Sequence, residues 1–89
     1  MSTEFINFIV DHFGERPPAL RRYVLSIVKF SPEVAGRIFS KYLLVYARLF
    51  WKETQKVVLY DAKFIVPELL RVIKVRFRAE MATIDKIEQ

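Results

Sequence analysis

The sequence predicts an all-α chain, extended rather than compact. Two short N-terminal helices precede either one long helix, straight or kinked, or two consecutive amphipathic helices. Three observations carry this expectation. Helix formers dominate and β-type alternation is weak throughout. Only Gly14 and Gly36 relieve the backbone, and no repeat or low-complexity run marks a linker. After Pro17, Pro18 and Pro32 no strong breaker occurs until Pro67. The length allows one domain, residues 1–89, with helices at about 3–13, 18–30, 32–54 and 57–88.

The first helix is read from "STEFINFIVDHFG". Ser2 or Thr3 can accept from the orphan N–H groups at its start, and Gly14 can end it in the left-handed conformation. Its apolar residues point in nearly every direction, so it needs cover on more than one side. "ERPPAL" connects it to the next helix, because Pro18 suits a first helical position. That helix should turn Leu20, Val24, Ile27 and Val28 to one side. "SPEV" is the strongest punctuation: Ser31 can cap, Pro32 opens the helix, and Glu33 meets the positive end of its dipole.

Beyond Pro32 the expectation divides. One apolar set, from Ile38 to Phe50, and a second, from Leu59 through Ile73 and Phe77 to Ile84, fall on roughly opposite sides of an unbroken helix. Either the chain turns near 54–56, or a single rod shows different faces to different partners. No Gly or Pro stands at 54–56, which favours a long helix, with Pro67 able to kink it.

Composition narrows the function. No Cys is present, which excludes disulfides, thiolate metal sites and Cys nucleophiles. Asp11 and His12 are sequence neighbours on different helical faces and make a poor catalytic pair, and a lone His at a helix end reads as structural. There is no phosphate loop or metal-ligand cluster, so a non-enzyme without cofactor or small-molecule substrate is expected. The chain is 53% hydrophobic, high for so small a free-standing domain, and this favours association with other protein subunits. The start of the sequence lacks the basic region of a signal peptide, and its acids are foreign to a mitochondrial presequence. Uncharged runs reach only six residues, far short of the roughly 20 needed to span a bilayer.

The net charge is +5, concentrated in the middle of the chain, and it calls for an anionic neighbour. Within "RIFSKYLLVYARLFWK", Arg37, Lys41, Arg48 and Lys52 fall on one strip about 60° wide, with Leu44 and Trp51 beside it. Three readings compete. The strip is a solvated face of a core helix, a contact with phospholipid headgroups, or a contact with nucleic-acid phosphates. Phe39, Tyr42, Tyr46, Phe50, Trp51, Ile73 and Phe77 are the candidates for packing on partner subunits. In the second basic cluster, "RVIKVRFR", Arg76 lies nearest the apolar border, which points to a specific carboxylate or phosphate partner. The acidic end, Glu80, Asp85 and Glu88, reads as solubilising.

The order "EFINFIVDHFGERPPALRRYVLSIVKFSPEVAGRIFSKYLL" loosely resembles mitochondrial ATP synthase subunit g. Pro18, Ala19, Leu20, Pro32 and the segment 42–51 take places comparable to that family's Pro-Ala-Leu turn, second proline and aromatic basic helix. No Gly follows Gly36, so the family's Gly-x-x-x-Gly membrane helix has no counterpart here. The resemblance implies a non-catalytic accessory subunit of an inner-membrane assembly, with a basic amphipathic helix at headgroup level. The alternative is a small basic nucleic-acid-binding or coat protein that assembles through helix packing.

Overall fold

Prolines mark the starts of the second and third helices. α1 spans Ser2–Gly14, α2 Pro18–Phe30 and α3 Pro32–Thr54. The computed structural model describes residues 2–84, and all its regular elements are helical. Pro18 and Pro32 sit at first helical positions, where a missing N–H costs no hydrogen bond. Two capping expectations fail. The Ser31 side chain makes no cap hydrogen bond, its carbonyl instead accepting from Ala35 N–H. Gly14 does not take a positive φ. Its smallness serves a close approach instead, because a Cβ at this position would lie 3.3 Å from the Phe77 ring.

α3 ends at Gln55, the one described non-glycine residue with positive φ (61°), in the left-handed conformation that usually calls for Gly. Thr54 completes the stop: its hydroxyl donates to Phe50 O at 2.6 Å and accepts from Lys56 N–H at 3.1 Å. Residues 55–61 are not helical. α4, Ala62–Arg76, starts where the Asp61 carboxylate accepts from Lys63 N–H at 2.9 Å. It runs through Pro67 and stops at Phe77, followed by the short α5, Arg78–Ala82. The stop at Phe77 has a packing cause: its ring turns inward against Phe13, with centroids 5.2 Å apart.

The expectation of a helix over 57–88 is therefore corrected, and so is that of an extended molecule. A continuous helix over 32–88 would run for about 85 Å. The described chain measures 45 × 24 × 18 Å, with a radius of gyration of 13.2 Å, close to the roughly 12 Å of a compact chain of this length. The turn at 55–61 brings α4 back against α1 and α3, while α2 lies against α3 and α5. The two apolar sets, opposed on a straight rod, thus meet in one core. Phe39, Leu43 and Phe50 of α3 share it with Ile65, Leu69 and Ile73 of α4.

α1 is the centre of that core. Phe5, Ile6, Ile9, Val10 and Phe13 are all buried. Phe5 packs edge-on to Phe50 at 5.5 Å and stacks on Tyr60 at 5.8 Å, and Phe8 meets Phe50 at 5.2 Å. The expected cover on more than one side comes from α3 and α4. On α2 the buried line runs through Leu25 and Val28, with Val24 and Ile27 at its edge, whereas Leu20 is exposed. Leu59, expected on the inner face of a helix, is 90% exposed because it lies in the non-helical segment. Residues 85–89, with Asp85, Glu88 and the expected helix end, lie outside the described part.

Candidate functional site

The site is built on α3. Its inner face is fixed by Ala35, Phe39, Leu43 and Phe50, which repeat at spacings of 4, 4 and 7 and lock the helix into the core. The opposite face must then look outward. It carries Arg37, Lys41, Arg48 and Lys52, all exposed. Leu44 and Trp51, each about half exposed, flank the strip on one side, with Val34 and Val45 on the other. Among the described residues none of the four cations has an ion-pair partner.

Four other cations differ in this respect. Arg21 Nε holds Glu80 at 2.9 Å, Lys56 Nζ holds Glu4 at 3.0 Å, and Arg76 Nη1 holds Asp11 at 2.8 Å. On α4, Arg71 grips Glu68 through Nε and Nη2 at 2.9 and 2.6 Å. That fork keeps the Glu68 carboxyl below its ordinary range and raises the Arg71 guanidinium above its own. The carboxylate anticipated for Arg76 is thus Asp11 of the same chain. Glu80, read as solubilising, is a half-buried partner of Arg21 instead. Arg16, Arg22, Lys29, Lys63, Lys74 and Arg78 also lack carboxylate partners among the described residues, so it is their order along one helix that distinguishes the α3 cations.

Of the residues expected to pack on partner subunits, Phe39, Phe50 and Ile73 are buried in the chain's own core, with Phe77 packed against it. They are spent on folding because the turn after α3 supplied an internal partner for each apolar face. Tyr46 is half-buried, and Tyr42 and Trp51 remain outside. Asp11 and His12 point to separate partners: His12 Nδ1 lies 3.0 Å from Phe8 O, and its Nε2 lies 3.5 Å from Glu53.

Where the chain turns back after α3, a groove of about 550 Å3 opens between Ala47, Arg48, Trp51 and Lys52 of the helix and Val57 and Val58 of the connection. Its walls are almost wholly apolar although two cations are among the lining residues. Val57 and Val58 were not anticipated in any site. Their signal was the β-branched pair in "KVVLYD", bounded by Asp61, a good N-cap residue. A second groove, of about 340 Å3, lies between α2 and α3 beside Leu20, Ile38 and Tyr42.

Among the described residues no group of three His, Cys, Asp or Glu side chains could hold a metal ion, and no helix is long and apolar enough to cross a membrane. The arrangement is suited to holding an anionic surface or segment against α3. Comparison with protein-family models, curated proteins and solved structures returned no match.

Proposed function

We propose that this chain is a non-catalytic accessory subunit of a membrane-bound assembly, with the outer face of α3 held at the level of anionic phospholipid headgroups. One observation carries the reading: four exposed cations without ion-pair partners lie in a row, bordered by exposed Leu44 and Trp51. Long cationic side chains can reach phosphates while their stems cover apolar surface, and a Trp ring favours the boundary between the two media. Such an arrangement lies on a membrane rather than across it. The resemblance to subunit g supports a place at the mitochondrial inner membrane, within an ATP synthase or respiratory complex. Exposed Tyr42 and Leu20 beside the α2–α3 groove are suited to neighbouring protein subunits.

Each cation near an anionic bilayer contributes about 1 kcal/mol, so four supply about 4 kcal/mol, a thousandfold in affinity that salt erodes. Flotation with neutral and phosphatidylserine-containing vesicles tests the proposal. The chain should bind the anionic vesicles alone, and replacing Arg37, Lys41, Arg48 and Lys52 by Gln should weaken binding by about two to three orders of magnitude. Undiminished binding by that variant would sink the reading. Duplex DNA in the same salt series is the control. Equal or tighter binding, falling steeply with salt, would move the conclusion to a nucleic-acid-binding protein.

A further inference from the structure

The connection between α3 and α4 has a property that the lipid reading does not use. Among the described residues, no backbone N–H or C=O of Val57, Val58, Leu59 or Tyr60 has a hydrogen-bond partner within the chain. Val57 and Leu59 are 66% and 90% exposed, Val58 is buried and Tyr60 half-buried. This alternation is that of an extended strand. The segment thus combines unpaired backbone groups with the β-branched and aromatic residues that strands favour. Beside it lies the apolar groove, with Arg48, Lys52 and Trp51 among its lining residues.

We propose that Lys56–Asp61 is the seat for an extended acidic segment of a partner protein, which adds to it as a β-strand. The free backbone groups decide the class of occupant. A lipid chain has no donors or acceptors to offer them, and a helix has already used its own. A strand offers both in the required alternation. Charge decides the kind of strand. A second copy would offer from its own Lys56–Asp61 a single carboxylate together with a further cation, whereas a partner alternating carboxylates with β-branched residues would serve both Arg48 and Lys52 and the apolar groove together. The inference does not depend on lipid binding, although Arg48 and Lys52 belong to both sites.

The test uses two synthetic probes, acetyl-EVEVEV-amide and acetyl-KVKVKV-amide, with the whole chain at low salt. Trp51 is the chain's one tryptophan, so its emission reports the groove directly. The acidic peptide should shift that emission to the blue and slow hydrogen exchange at alternate amides within residues 57–60. The basic peptide should do neither. Replacing Arg48 and Lys52 by Gln should weaken binding about tenfold, while the same change at Arg37 and Lys41 should alter it less than about twofold. Equal binding of both peptides, or a Trp51 shift without protection of residues 57–60, would overturn the proposal. So would protection that rises with protein concentration alone, the mark of a second copy, or that anionic vesicles produce without peptide. Vesicle binding by a chain that ignores the acidic peptide would refute this inference and leave the lipid reading standing.

Discussion

α1 and α3 are both rich in aromatic and aliphatic residues, yet α1 buries five of its 13 residues at the centre of the core while α3 buries four of its 23 and keeps half its circumference outside. Their charges account for the difference. Glu4, Asp11 and His12 of α1 each find a partner, respectively Lys56, Arg76 and Glu53. The exposed Glu4–Lys56 and Asp11–Arg76 pairs contribute at most about 1 kcal/mol each, so they orient the helix more than they stabilise it. Together with the His12–Glu53 contact they tie the outer edge of α1 to α3, to α4 and to the connection between them. On α3 the cations are confined to one strip and none has an ion-pair partner among the described residues, so that side of the helix stays open. In a chain this apolar, the placement of charge decides which helix becomes core and which becomes surface.

The strongest way to break this comparison is to empty the centre of α1. Phe5 is fully buried against Phe50 and Tyr60, so Phe5→Ala should cost about 3–5 kcal/mol, a large share of the 5–15 kcal/mol typical of a folded domain. Urea denaturation measures it. A loss below about 1.5 kcal/mol would mean that α1 is peripheral.

Next comes a cation that does have partners. Arg21 of α2 donates to Glu80 at 2.9 Å and also to the carbonyls of Gly14 and Arg16, at 3.2 and 2.9 Å. The Arg21 and Glu80 side chains are about four-fifths buried, which limits screening. Arg21→Ala should cost about 1.5–3 kcal/mol, much of it from Glu80 left without its counter-charge. A thermal shift indistinguishable from wild type would remove the contrast between partnered and free cations.

Smaller still is the effect at the turn that makes the molecule compact. Gln55→Gly should stabilise the chain by up to about 1 kcal/mol, because relief of the left-handed strain exceeds the flexibility that Gly adds to the unfolded state. A destabilised variant would mean that the Gln55 side chain, 3.3 Å from Trp51 O, matters more than its backbone.

This residue also shows where the sequence became hard to read. Pro18 and Pro32 announced α2 and α3, because proline removes a donor and fixes φ wherever it stands. Gln55 announces nothing, since any residue can be forced left-handed at a cost that packing elsewhere offsets. Asp61 carried a usable signal, masked by the apolar residues around it. With the turn unseen, periodicity could show that Phe39, Phe50 and Ile73 were apolar-facing but not that they would face one another. Residues reserved for partners thus became core. Trp51 and the four cations were easier, because a strip on one continuous helix depends only on its 100° step.

The strip itself should barely register in stability. With no ion-pair partner to lose among the described residues, replacement of Arg37, Lys41, Arg48 and Lys52 by Gln should change the unfolding free energy by no more than about 0.5 kcal/mol per site. The same variant is expected to lose anionic vesicles. A large stability loss would show that these side chains hold the fold, and the comparison with α1 would fail.

The exposed pair on α4 gives the smallest effect and sets the baseline for the strip. Arg71 holds Glu68 by hydrogen bonding first and by charge second, so the carboxyl titrates below its ordinary value of 4.5. A depressed folded value makes the pair's contribution present above the unfolded value and lost as pH falls through the folded one. NMR titration should therefore show the Glu68 midpoint moving up in Arg71→Gln, with the melting temperature at pH 7 hardly changed. If instead melting fell sharply, exposed charges would matter to this fold far more than their solvation allows. The quiet response expected of the strip would then need another cause. If only the titration moves, an exposed cation here holds an anion without holding the fold, which is the behaviour the α3 strip needs to serve an external partner.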